Sequence, residues 1–161
     1  DIANALGQQP SAIYFHVASK QVLLFELALI GHEAHLQRLR DALLDSGADP
    51  LDQLCALVTA HVEGHLIYPA MARLTNRELN ALDEEQLRTV LAIRSQAEQT
   101  FIDVLDRGVR MGVFHVDDTF LAAQALGAMG VRVPEWWTPE PPRRGAEIVA
   151  SYVAYARKIV T

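Results

Sequence analysis

Apolar positions recur at helical spacing along nearly the whole chain. Leu51, Leu54, Val58, His61 and His65 fall three or four residues apart, and so do Leu87, Val90, Leu91, Arg94, Ala97, Phe101, Val104 and Leu105. A third stripe joins Ile148, Val149, Tyr152, Ala156, Ile159 and Val160. Sustained two-residue alternation and Asn-Gly hairpin turns are absent, so the chain is expected to be all-α. Caps and breakers divide it into about eight helices. Residues 1–6 stop at Gly7, and Pro10 opens 10–16. Ser19 caps 19–46, Asp49 caps 51–69, and 70–82 forms a shorter helix. Asp83 opens a long helix ending at RMGVF, and Asp117 caps the next over DTFLAAQALGAMGV. VPEWWTPEPP then breaks the chain with four prolines, and residues 143–160 form the last helix.

The 161 residues suffice for one domain of ordinary size or for a small module docked on a larger one. No apolar run approaches the roughly 20 residues that span a bilayer, so no membrane partner is expected. The single cysteine, Cys55, sits on an apolar face and is read as packing in a cytoplasmic protein. A net charge of −6 argues against a surface that binds nucleic acid throughout, while leaving room for a small basic element. The chain offers no nucleophile-and-base set, no glycine-rich phosphate loop and no paired-carboxylate motif. It is therefore not expected to be an enzyme.

Two short helices joined through GQQ and followed by a long one have the dimensions of a helix-turn-helix. Ile2, Ala3, Leu6, Ile13 and Val17 form its apolar face, leaving Gln9, Ser11, Ala12, Tyr14, Phe15 and His16 outward. An ordinary helical hairpin packed on the next helix has the same spacing. The segment DIANALGQQPSAIYFHVASKQVLL resembles the helix-turn-helix of TetR-family repressors, with Ile2, Ala3, Gly7, Tyr14, His16, Val17, Lys20 and Leu23 at the family's positions. Gln8 departs from it, standing where the family has an aliphatic residue. The resemblance implies a head (1–20) that lacks its first helix here, a connecting helix (21–46) and a ligand-binding and dimerisation bundle (47–161). It places Gln9, Ser11 and Ala12 near base edges, and Tyr14, His16 and Lys20 on the phosphate backbone of operator DNA. Phe15 stands against the sugar-phosphate wall or packs beneath a helix ahead of Asp1.

A switched repressor needs a ligand that favours one arrangement of its body. Helical phase turns His61, His65 and Arg94 inward beside Phe101, and Gln124 on the small-residue helix joins them. Arg94 then needs an anion, either an internal carboxylate such as Glu63, Glu78 or Glu98, or one on a ligand. His61 and His65 could share a metal with His32, His35 or His115. The lack of a cysteine pair or carboxylate at a recognised metal spacing favours histidines bonded to neighbours or lining a pocket, so neither metal nor cofactor is expected. Segments HVEGHLIYPAMARLTNRELNAL, DRGVRMGVF and VPEWWTPEPPRRGAEIVASYVAYA are similar to TetR-type regulators of lipid or steroid catabolism, several of which respond to acyl-CoA thioesters. That similarity implies a bulky apolar effector. Ala122, Ala123, Ala125, Gly127, Ala128 and Gly130, with the wide face of the last helix, are expected to form a homodimer interface. The competing classes are an all-α interaction module without DNA binding and an enzyme.

Overall fold

The computed structural model describes residues 19–138 and 144–161. The two short N-terminal helices, and with them Gln9, Ser11, Ala12, Tyr14, Phe15 and His16, lie outside the described residues. Six α-helices and one 3-10 turn make up the rest, and the described residues contain no strand. Among them, no helix is long and apolar enough to cross a membrane.

Helix α1 (Lys20–Asp45) starts where Ser19 accepts from the Val22 N–H at 3.1 Å. It spans two separate apolar clusters. Leu24 and Ala28 pack with Leu82 and Val90, whereas Leu39 belongs to the main core. Helix α2 (Pro50–Ile67) opens with Pro50 in its first turn and Asp49 accepting from Leu51 and Asp52 at 2.8 and 3.1 Å. Gly47, at φ 75°, makes the preceding turn in the left-handed region. Leu54, Leu57, Val58 and Val62 bury α2 among α1, α4, α5 and α6, which makes it the central strut. Helix α4 (Glu84–Arg110) carries a reciprocal cap between Asp83 and Gln86.

Three boundaries differ from the expectation. Helix α3 (Pro69–Arg77) tightens into a 3-10 turn at Glu78–Ala81 instead of continuing to Leu82, and so drops Leu82 into the smaller apolar cluster. Helix α5 (Thr119–Trp136) is capped by Asp118, which accepts from Leu121 at 2.9 Å, and not by Asp117. It also runs through Pro134, where a break was expected. Proline costs the helix an N–H and crowds the carbonyl four residues back, at Gly130. Full burial of Val133 and Pro134 offsets that cost, as does the Arg73 guanidinium, which donates to the Pro134 carbonyl. Arg77 pairs with Glu135 beside them. Helix α6 (Gly145–Val160) packs Ile148, Val149, Ala156 and Val160 into the main core.

Candidate ligand pocket

Beside the main apolar cluster, which contributes Leu39, Phe101 and Ala123 to its wall, lies a cavity of about 350 Å³. Helix α1 supplies His32 and His35, α2 supplies His61 and His65, α3 supplies Met71 and Asn76, α4 supplies Arg94, Ala97, Glu98 and Phe101, and α5 supplies Gln124 and Gly127. All five residues singled out from helical phase, His61, His65, Arg94, Phe101 and Gln124, thus line one space. Lys20, the described member of the expected DNA-facing set, is the exposed first residue of α1.

The histidines are fixed by carbonyls. His32 Nδ1 lies 2.9 Å from the Ala28 oxygen, His65 Nδ1 2.8 Å from the His61 oxygen, and His61 Nε2 2.9 Å from the Gly127 oxygen. A carbonyl only accepts, so each of these nitrogens carries the proton and its partner nitrogen keeps a lone pair. His61 Nδ1 must then accept from His35 Nε2, 2.9 Å away. Burial in the low-dielectric interior is the main cause that disfavours the charged form in all four. It holds His32 down to about 4, His35 to about 2 and His61 to about 3, and also lowers His65. Neighbouring histidines act in the same direction on His35 and His61, and Arg94 does so on His32 and His65.

Arg94 is half-buried, and its Nη1 donates to Asn76 Oδ1 at 3.2 Å. Burial lowers its pKa and the charge of Glu98 opposes that. Glu98 itself accepts from Gln124 Nε2 at 2.7 Å. Among the described residues, no carboxylate comes within 4.0 Å of Arg94. Of the carboxylates considered from the sequence, Glu63 and Glu78 are exposed elsewhere and only Glu98 shares the cavity. Phe101 stands edge-on to His61, with ring centres 5.7 Å apart. The cavity therefore presents an apolar wall with the Arg94 guanidinium, the Glu98 carboxylate and neutral imidazoles set into it.

Sequence reasoning missed the part played by α5's glycines. A Cβ on Gly130 would lie 2.2 Å from His61 Cδ2, so glycine there leaves the space that the ring fills. Gly130, Ala122 and Ala123 are buried within this chain, which removes them from the expected dimer surface, and Gly127 faces the cavity. His32 and His35, expected from sequence only as possible metal ligands, line the cavity as well, and His115 lies exposed beyond α4.

Residues 47–160 match the family model described as "Tetracyclin repressor-like, C-terminal domain". Over 156 residues the chain is 27% identical to the HTH-type transcriptional repressor KstR2 of Mycobacterium tuberculosis, covering 96% of this chain and 78% of that protein. A bacterial regulatory protein of the tetR family from Rhodococcus RHA1 superposes with a TM-score of 0.88 at 31% identity, over 99% of this chain and 83% of that one. The solved ketosteroid transcriptional regulator KstR2 of M. tuberculosis gives 0.88 at 26%, over 100% and 83%. AibR, solved in complex with isovaleryl coenzyme A and operator DNA, shares the fold at 17% identity, with a TM-score of 0.79 over 99% and 86%.

Proposed function

The chain belongs to the tetracyclin repressor-like (TetR) family, whose members matched here are transcriptional regulators and not enzymes, and on that premise we propose a ligand-released repressor that binds operator DNA as a homodimer. Its effector is largely apolar, carries an anionic or strongly accepting group, and occupies the cavity between α1 and α5. One observation carries this reading. Arg94 holds a half-buried charge beside an apolar wall, with Asn76 as its hydrogen-bond partner, Glu98 acting on it from a distance, and no carboxylate in ion-pair range among the described residues. A ligand carboxylate or thioester oxygen supplies what Arg94 lacks, and about 350 Å³ suits an acyl group. An acyl-CoA thioester is the first effector to test, because AibR shares this fold and was solved with one. The sequence match over the first twenty-odd residues supports Gln9, Ser11 and Ala12 at base edges, with Tyr14, His16 and Lys20 on the backbone and Phe15 either against the sugar-phosphate wall or packed within the head. The protein acts where its operator is, in the cytoplasm.

Mobility shift of the full-length protein on its own promoter region should show sequence preference and a steep loss of affinity with salt. Acyl-CoA should release the DNA. Arg94→Gln should weaken effector binding about tenfold or more, as expected for losing a charged hydrogen bond, and leave operator affinity unchanged. Calorimetry showing no acyl-CoA binding alongside tight binding of an uncharged aromatic compound would remove the Arg94 reading.

The homodimer rests on the exposed faces of α5 and α6. Leu121, Ala125 and Ala128 follow one another at helical spacing on one, and Tyr155 and Ile159 on the other. Leu121 is 61% exposed and Tyr155 50%, so both are free to pack against a partner. Gel filtration of Leu121→Asp combined with Tyr155→Asp should give a monomer and, with it, loss of binding to a palindromic operator. An unchanged dimer would move the interface elsewhere.

A further inference from the structure

His35, His61 and His65 converge from two helices, one ring nitrogen of each lying within 4.8 Å of the others. Their ring centres are 4.7 to 5.0 Å apart. We infer that this triad is a binding site for a divalent first-row transition ion, Zn²⁺ in the first instance, with three imidazole ligands and an open position toward the cavity.

The tautomers already favour it. His61 and His65 each donate a hydrogen bond from their second nitrogen to a carbonyl, of Gly127 and of His61 respectively, so His61 Nδ1 and His65 Nε2 present lone pairs. Carbonyls that orient metal-bound histidines in this way fix the ring and raise its basicity. Only His35 must change. Its Nε2 now donates to His61 Nδ1. The proton moves to Nδ1, with solvent as carrier, and Nε2 becomes the third donor. Nitrogens bound tetrahedrally to zinc stand about 3.4 Å apart, given Zn–N distances of about 2.0–2.1 Å. The 2.9 Å His35–His61 pair therefore opens by about half an ångström, and the wider spacings close. The set is all nitrogen, with Cys55 outside it, which suits zinc and its borderline neighbours over magnesium or calcium. Three protein ligands leave the fourth position to water or to an oxygen of a bound molecule. Only that last consequence rests on the effector reading above; metal binding stands without it.

The ion would join α1 to α2 directly, fastening the helix that follows the head to the centre of the body. The test uses full-length protein stripped with a chelator and then titrated with Co²⁺ and Zn²⁺. Cobalt should give the visible bands of a tetrahedral site, without thiolate charge transfer in the near ultraviolet, at one ion per chain. Zinc should displace it and raise Tm by several degrees. His35→Gln and His65→Gln should each abolish the bands and the Tm shift, while His115→Gln and Cys55→Ser keep both. Wild-type protein that shows neither bands nor a Tm shift overturns the site, as does metal binding that survives both His35→Gln and His65→Gln. Operator binding by the same chelated preparation is followed in parallel. If that persists while metal binding fails, the metal site falls and the repressor stands.

Discussion

Lowering the pH from about 7.5 to about 5 should destabilise the fold steeply, with metal chelated throughout. In the unfolded chain each imidazole takes up a proton as the pH falls through about 6.5. In the fold, burial holds His61 down to about 3, so between those values the unfolded state binds the extra proton. The loss at pH 5 is about 2 kcal/mol for His61 alone. His32, His35 and His65 shift in the same direction and deepen it. Around His61 stand His35 from α1, His65 from its own helix, Phe101 from α4 and the Gly127 carbonyl from α5, while Arg94 and Glu98 line the same cavity. Glu98 is engaged with Gln124, and no carboxylate bonds to the four rings among the described residues. Urea midpoints across this range should fall with pH, and His61→Gln should fall less steeply. Identical slopes would mean that His61 protonates as readily inside as outside.

Two glycines three residues apart on α5 should respond oppositely to alanine. At Gly130 the new Cβ would meet the His61 ring at 2.2 to 2.3 Å, and that ring is held by Gly127 and His35 and cannot swing clear. At Gly127 nothing lies within 4 Å, and the backbone is not in the left-handed region. Both substitutions gain roughly 1 kcal/mol of helix propensity. Their difference isolates the overpacking, about 1–3 kcal/mol against Gly130→Ala. Thermal melts of the two variants beside wild type decide the matter, and equal Tm values would show that the ring relaxes freely.

The fold was legible because each helix carries its own boundary chemistry. Ser19, Asp49 and Asp83 cap where the apolar stripes begin, and the side-chain bonds are those that such residues make. Pro134 was not legible, since local chemistry forbids it and only the tertiary contacts of Val133, Arg73 and the neighbouring core retain it. Asp117 and Asp118 are equivalent in sequence, and only the structure distinguishes them, Asp118 accepting from the Leu121 N–H. The pocket was half legible. His61, His65, Arg94 and Phe101 sit on apolar stripes, where a polar group announces an inward position. His32 and His35 lie on the buried side of α1 with Ala28, Leu36 and Leu39, so the same phase argument reaches them. Small residues on α5 are ambiguous by nature, because close approach to a partner helix and room for an imidazole both call for a missing side chain.

Helix α1 runs as one 26-residue rod through both apolar clusters, and its length turns the pocket into the short arm of a lever. Leu39, wholly buried in the main core, is the natural fulcrum. At 1.5 Å per residue, His35 stands about 6 Å from it and Lys20 about 28 Å. A tilt that carries the His35 ring 1 Å outward therefore carries the start of the helix about 5 Å. Along the long arm the helix is held by the smaller cluster around Leu24, Ala28, Leu82 and Val90, so any such tilt must move α1 against Leu82, which follows the 3-10 turn, and Val90 of α4.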